Sequence, residues 1–459
     1  MNKSFKYIAT ITLGISMLGS CGVYKKFSLP EDENNIVSEY AKAQDIAIDS
    51  TTFGNLQWQK VFTDPMLADL INRALENNVN LQNAKLNVDI AQAQLKGAKL
   101  SYLPSLALAP SGSMASFAGS DYIGTYQIPL AASWEIDIFG KLLNNKRGAQ
   151  ATVDQTKAYN QAVRSQIIGG VANCYYTIAT LQRQIELNKE TARLWAESLE
   201  VMKNLKLDGR LNEAAIVQST ASYYNLLASI TDLEVALNET YNTMSLLLNT
   251  TPQKWNISAQ ASLAMPQIVR AGVPMVELAA RPDVRAAELD VAKAFYATNL
   301  ARAAFYPTLT ISATGAFTNS TGSSIINPGD WLIQLAGSLT APLFSRGKNI
   351  AGLEAAKAAQ KQAMNNFEYA LLNASAEVSD AMMICQKSDE KVGLLNIQIE
   401  NLEKSVEYTQ QLMTLGTSSY LEVLTAQQNL LAAQMSQLAC EHTKAQAVIN
   451  LYQSLGGGR

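Results

Sequence analysis

The sequence predicts a mainly α-helical protein with a small transmembrane β part, built as two copies of one unit. Two long stretches without proline repeat their apolar residues about every 3.5 positions. Four shorter stretches alternate apolar and polar residues, as strands with one apolar face do. Both patterns occur twice in the same order, which indicates an internal duplication.

The chain of 459 residues opens with a segment typical of bacterial export signals. Lys3 and Lys6 precede an apolar run at 7–17, which is too short to anchor stably in a bilayer. The run leads into the letters LGSC, which end at Cys21 and resemble a lipobox. That resemblance implies removal of residues 1–20 and attachment of lipid to Cys21; the alternative is an ordinary signal peptide with a chance cysteine. We expect no other cofactor.

Composition shifts and proline positions divide the rest of the chain. We expect a lipidated N-terminal segment at 21–63, a first repeat at 64–250, a linker at 251–283 and a second repeat at 284–459. The linker is broken by four prolines, a composition typical of irregular connections.

Matched positions support the two repeats. Pro104 matches Pro307, and Phe139 matches Phe344. The spacing between matched positions drifts from about 203 to 207 residues, as a duplication with small insertions predicts.

The long helices are expected at about 144–207 and 349–415. Their sustained 3.5-residue period predicts coiled-coil packing. At 1.5 Å per residue each would be roughly 100 Å long, which a compact domain cannot accommodate. Each is expected to begin a helical hairpin, with tips near 209–212 and 416–419.

The strands are expected at about 103–116, 123–138, 308–318 and 330–343. Each is as long as the roughly ten residues of a tilted transmembrane strand. One face is apolar and the other is rich in Thr, Ser and Gln, which favours a barrel with lipid outside and water inside. A soluble β-sandwich is the alternative, because its strands alternate in the same way.

Four strands cannot close a membrane barrel, and an open edge in lipid leaves backbone groups unpaired. Several chains must therefore share one barrel. Two copies would give eight strands and three would give twelve. Side chains fill an eight-stranded barrel, so a pore favours three or more copies.

Composition argues against two other classes of function. A net charge of −3 and only 16% charged residues do not suit a nucleic-acid partner. The only histidine, His442, falls on the apolar seam of the last helix, and no common catalytic motif is present. We therefore expect neither an enzyme nor a His/Cys metal site. Cys174, Cys385 and Cys440 read as small apolar core residues.

Five short motifs occur in order along the chain: DPML at 64–67, DIFGK at 137–141, RPDVRAAE at 281–288, LGTSSYLEVLTAQ at 415–427 and LGGG at 455–458. On the duplicated framework they make the sequence similar to TolC-like outer-membrane efflux proteins. The likeness is greatest to the lipoprotein branch that serves resistance-nodulation-division pumps, and it covers nearly the whole mature chain.

The resemblance implies a homotrimer in the cell outer membrane of a Gram-negative-type bacterium. Three chains would share a 12-stranded β-barrel in outer-membrane lipid and an α-helical barrel across the periplasm. The trimer would be the exit duct for an inner-membrane pump and a periplasmic adaptor. A lipid-anchored periplasmic coiled-coil tether is the alternative.

The resemblance also implies an adaptor-docking site at the hairpin tips. The family's G-x-x-S tip matches Gly209 with Asn212 and Gly416 with Ser419. The first tip has Asn where the family has Ser, which alters its contacts. The alternative is that both tips are only tight helix turns.

A periplasmic gate is implied at Glu422 and Thr425, the positions that are acidic in TolC. Glu422 would form a ring of three carboxylates that favours cations and whose mutual repulsion raises their pKa. Thr425 leaves the second ring missing. The alternative is that Glu422 interacts with the positive end of its own helix.

Overall fold

The computed structural model describes residues 23–30, 36–44, 57–116, 118–119, 121–208, 211–259, 275–318, 331–415 and 417–458. Its helices are α1 (Ile36–Gln44), α2 (Trp58–Val61), α3 (Pro65–Asn77), α4 (Val79–Leu100), α5 (Lys141–Leu207), α6 (Glu213–Leu247), α7 (Met275–Ala279), α8 (Pro282–Ala303), α9 (Lys348–Thr414) and α10 (Tyr420–Ser454). Its strands are β1 (Ser105–Leu108), β2 (Ser111–Ala115), β3 (Ile123–Ile136), β4 (Thr308–Thr318) and β5 (Trp331–Thr340). Within these ranges, no helix combines the length and the apolarity needed to cross a membrane.

The duplication is visible in the helix lengths. Helices α4 and α8 have 22 residues each, α5 and α9 have 67 each, and α6 and α10 have 35 each. Gly140 (φ 69°) and Gly347 (φ 77°) both adopt a left-handed conformation directly before α5 and α9. They are therefore equivalent positions, 207 residues apart, at the upper end of the predicted drift in spacing.

One antiparallel sheet contains all the described strands, in the order β1–β3–β4–β5, with β2 also paired to β3. Strands β1 and β2 continue one register along β3, so they are a single interrupted strand within the predicted 103–116. At the interruption, the Ala109 N–H donates to the Pro129 carbonyl over 3.3 Å. Pro129 has no N–H to return the bond, so the ladder breaks there.

The register collects the apolar residues of β3, β4 and β5 on one face of the sheet. Leu309, for example, lies between Ile136 and Leu339. Further rows on this face are Trp134–Ile311–Gly337, Ala132–Ala313–Leu335 and Leu130–Gly315–Ile333. The opposite face carries small and polar rows, including Ser133–Ser312–Ala336 and Ala131–Thr314–Gln334. Large side chains on the apolar face are exposed, so a single chain leaves this face unburied.

Intrachain contacts divide the chain into two compact units. The first comprises 1–38, 85–158 and 285–370 and contains the sheet. In it the DIFGK motif turns β3 into α5, because Asp137 accepts hydrogen bonds from the N–H groups of Leu142 (3.1 Å) and Leu143 (2.7 Å). The motif thereby caps the first turn of the helix.

The second unit comprises 39–84, 159–284 and 371–459. Its main core includes Trp58, Phe62, Leu67, Ile71, Ile178, Met244 and Tyr452. The DPML motif anchors α3 there: Asp64 accepts from the Met66 N–H over 2.8 Å and from the Tyr175 hydroxyl over 2.6 Å. The cap thus fixes the helix start against α5.

Two further motifs hold the end of α10 in this unit. The buried Arg281 donates to the Ser454 carbonyl over 2.7 Å and to Glu377 over 2.6 Å. Burial raises the pKa of Asp283, but its ion pair with Arg281 outweighs this and holds that pKa below the usual range. In the LGGG motif, a Cβ at Gly457 would lie 2.5 Å from the Tyr452 ring, so only glycine fits.

We expect Leu335→Arg to lower the fraction of the protein recovered in the membrane. Leu335 is 77% exposed on the apolar face, and arginine near the bilayer middle costs roughly 2–4 kcal/mol. The matched control is Gln334→Arg, because adjacent strand residues point to opposite faces. Immunoblots of membrane and soluble fractions measure the effect. Equal losses for the two variants would contradict the assignment of the faces.

Candidate functional site at the hairpin tips

Three of the predicted site residues lie outside the described residues: Cys21, Gly209 and Gly416. The others begin α6 and α10, the second helices of the two hairpins. The two tips can therefore be compared through their helix starts.

Asn212 caps α6 at the first tip. Its side-chain oxygen accepts a hydrogen bond from the Ala215 N–H over 3.0 Å. Lys206 at the end of α5 forms an ion pair with Glu213 at the start of α6. Asn212 therefore caps α6 through its side chain, a role in which Asn and Ser are about equally effective.

The second tip is capped in a different way. Ser419 is the residue before α10, but its side chain accepts no hydrogen bond from the helix backbone. Its hydroxyl instead donates to Glu422 over 3.3 Å, and the Ser418 hydroxyl also donates to Glu422. Glu422 lies in the first helical turn, where the helix dipole favours a carboxylate. Glu422 thus has a local role at this helix start.

Glu422 and Thr425 are exposed and lie three positions apart, on one face of α10. The Thr425 hydroxyl donates to the Leu421 carbonyl over 2.8 Å, within the same helix. The two predicted gate residues are therefore accessible in a single chain, and only Glu422 offers a charge.

A hydrophobic cluster supports both tips from within the second unit. It contains Trp195 and Met202 of α5, Ile216 of α6, and Tyr420 and Leu424 of α10. Gln428 of α10 also donates to the Ser222 hydroxyl of α6 over 3.0 Å. Residues from both repeats thus share one core just behind the tips.

Exposed leucines flank the tips, and the sequence reasoning missed them. Leu207 is 83% exposed at the end of α5, and Leu415 is 75% exposed after α9. Leu421 is 54% exposed in the first turn of α10. Their position in the sequence, near the tip glycines, is the signal that could have identified them. Each tip therefore exposes apolar side chains. Exposed apolar patches mark interaction sites when they are contiguous.

His442 is partly buried and hydrogen-bonds to Thr177, so its role is structural. The Thr177 hydroxyl donates to the Asn173 carbonyl over 2.7 Å, so over 2.9 Å it accepts from Nε2–H of His442. Burial lowers the pKa of His442 and raises that of the Cys174 thiol to about 11. Among the described residues, no group of three or more His, Cys, Asp or Glu side chains could hold a metal ion.

Comparison with known proteins identifies the class. The family model of the outer membrane efflux protein matches residues 70–250 and 273–457. The chain belongs to this family of outer-membrane efflux channels.

Individual relatives match over most of their length. The cation efflux system protein CusC of Escherichia coli K12 is 28% identical over 413 residues, covering 88% of this chain and 90% of CusC. The probable outer membrane lipoprotein SilC of Salmonella typhimurium is 26% identical over 408 residues, covering 87% and 88%. A crystal structure of CusC matches with a TM-score of 0.83 at 25% identity and covers 94% of this chain and 99% of its own. The predicted family and the fold of the chain are thereby confirmed.

We expect Asn212→Ala to speed hydrogen exchange of the Ala215 amide. Loss of a cap costs about 1 kcal/mol, which corresponds to about a fivefold change in local opening. Exchange mass spectrometry of peptides that cover the start of α6 measures it. Ser419→Ala is the control, because that side chain accepts no backbone bond and its loss should change α10 less. Equal effects at both tips would contradict the assigned caps.

Proposed function

We propose that three copies of this chain form the exit duct of a tripartite efflux system. The duct passes solutes from an inner-membrane pump of the resistance-nodulation-division type, through a periplasmic adaptor, to the outside. The observation that carries the proposal is the exposed apolar face of the sheet, combined with two edges that have no strand partner in the part of the chain that the structure describes. Transport through such a duct makes and breaks no covalent bond.

The apolar face needs a lipid environment, and the open edges need further strands. Leu335 and Leu339 are 77% and 62% exposed in one chain, where water would surround them. In lipid they are buried, but there every edge N–H and C=O requires a partner. Three chains supply twelve strands, and a barrel of more than eight strands leaves room for a channel.

The lipid-anchored tether explains the long helices equally well. It gives no reason for apolar rows that run in register across β3, β4 and β5. The relatives also favour a duct, because CusC is a cation efflux system protein. We therefore prefer the duct.

We also propose that Cys21 carries the lipid anchor. SilC is described as a probable lipoprotein, and Cys21 precedes by two residues a segment that is held firmly. Asn144 donates to the Val23 carbonyl over 2.9 Å, and Arg147 donates to the Tyr24 carbonyl over 3.0 Å. The segment after the anchor is thus part of the folded first unit.

Radioactive palmitate should label the wild-type chain, and Cys21→Ala should abolish the label. The matched control is Cys174→Ala, because that thiol is buried and should contribute nothing. Intact mass of the purified chain should show cleavage before Cys21 together with the acyl groups. A labelled Cys21→Ala protein, or an unmodified wild-type N-terminus, would contradict the anchor.

The tips at Gly209–Asn212 and Gly416–Ser419 are proposed to dock the adaptor. The exposed leucines beside them would be buried by an adaptor tip, and both tips rest on one shared core. This arrangement would hold the docking residues at fixed positions.

Leu415→Asp and Leu207→Asp should each reduce adaptor recovery in a pull-down at least tenfold, a loss of about 1.4 kcal/mol or more. The control is Leu246→Asp, which alters a residue of similar exposure (77%) at the far end of α6. Size-exclusion chromatography in detergent checks that each variant stays assembled. Wild-type recovery with both tip variants would contradict docking at the tips.

Glu422 is proposed as a ring of three carboxylates at the periplasmic mouth, with Thr425 beside it as an uncharged position. A ring of carboxylates at a constriction favours cations. The capping contacts of Glu422 are compatible with this role, because its carboxylate remains exposed in one chain.

We expect Glu422→Gln to reduce the preference for cations in planar-bilayer recordings. Gln keeps an oxygen that can accept from Ser418, so the local cap is largely retained. The control is Glu213→Gln, which removes the acid at the start of α6. If ion selectivity is unchanged in Glu422→Gln, the role of Glu422 is limited to its helix start.

A further inference from the structure

The sheet ends in two edges that have no strand partner among the described residues. One edge is formed by β1 and β2, and the other by β5. All neighbouring strands are antiparallel, so β5 runs opposite to β1 and β2. A second copy of the chain that places its β1–β2 edge against β5 would therefore continue the alternation of directions.

The internal duplication supplies the register for such a contact. A shift of 203 residues carries α4 onto α8, and a shift of 207 carries α5 onto α9. Applied to the strands, these shifts carry Ser105 onto Thr308 and Ser133 onto Thr340. Ser105 pairs with Ser133, and Thr308 pairs with Thr340. The two shifts thus reproduce the second hairpin from the first.

The same shifts apply to the β3–β4 pair, which joins the last strand of one repeat to the first strand of the next. The Leu130–Gly315 pair of that ladder becomes Gly337 opposite Gly112. We infer that the open edge of β5 pairs with the β1–β2 edge of a second copy of this chain, with Gly337 opposite Gly112 and Ser338 opposite Ser111. This inference rests on the proposed homo-oligomer and adds its strand register.

The backbone donors fit this register independently. The Ala109 N–H points toward β3, so the even-numbered residues of β1–β2 direct theirs to the open edge. The N–H groups alternate in direction along each strand. When this alternation is followed from β3 through β4 to β5, the odd-numbered N–H groups of β5 point to its open edge. The inferred register opposes Gly112 to Gly337, an even residue to an odd one, so the donors of each strand face the other.

The side chains fit as well. The register sets Met114 opposite Leu335, and these residues are 75% and 77% exposed in one chain. Both belong to the apolar face, so the apolar band continues across the junction between copies. A slip by one residue would instead set apolar side chains against polar ones.

Paired cysteines test the register. Ser338→Cys with Ser111→Cys occupies a non-hydrogen-bonded pair, whose Cα atoms lie about 4.5 Å apart, within disulfide reach. The control, Ala336→Cys with Ser111→Cys, would match a two-residue slip and is diagonal in the inferred register, at about 7–8 Å. The natural cysteines Cys174, Cys385 and Cys440 are buried, so the parent protein gives the background.

Oxidised membranes are analysed on non-reducing gels. We expect the Ser338/Ser111 variant to shift most of the chain into multimers that a reductant dissolves, while the Ala336/Ser111 variant stays at background. The inferred register is overturned if the slip variant crosslinks better, or if neither crosslinks although both elute as oligomers in detergent. If the parent protein and both variants elute as monomers, the proposed homo-oligomer fails as well.

Discussion

The structure depends on the antiparallel pairing of β3 with β4, which joins the two repeats in one sheet. This ladder aligns the apolar residues of both repeats on one face, and within the described ranges one edge of each repeat has no strand partner. Backbone groups in lipid must all be paired within the protein. A membrane location therefore requires other chains at those edges, and the assembly follows from a backbone constraint.

Because of the duplication, each chain contributes two copies of the same unit to the assembly. Each repeat supplies two strand positions. After its strands, each repeat continues with one 67-residue helix and one 35-residue helix. Three of the motifs that suggested the family cap or hold helix ends within the repeated units. Asp137 caps the start of α5, Asp64 caps the start of α3, and Arg281 holds the end of α10. The starts of α6 and α10 differ in the side chains that stabilise them, which are Asn212 in α6 and Ser418, Ser419 and Glu422 in α10.

Much of the fold could be predicted because it depends on periodicity. The alternation at 308–318 coincides with β4, and the seam residues Val171 and Ile178 are fully buried. The break at Ala109 could not be predicted, because it depends on Pro129 lying opposite in the sheet. The site was less accessible still: the contact of Ser418 with Glu422 depends on the tip conformation, and sequence alone does not report exposure at Leu415.

Single-particle imaging of the full-length protein, extracted from the outer membrane in mild detergent, tests the central claim most directly. We expect a threefold, hollow particle with a detergent belt around the sheet at one end. A monomeric or solid particle without a belt would contradict the shared barrel and leave the lipid-anchored tether.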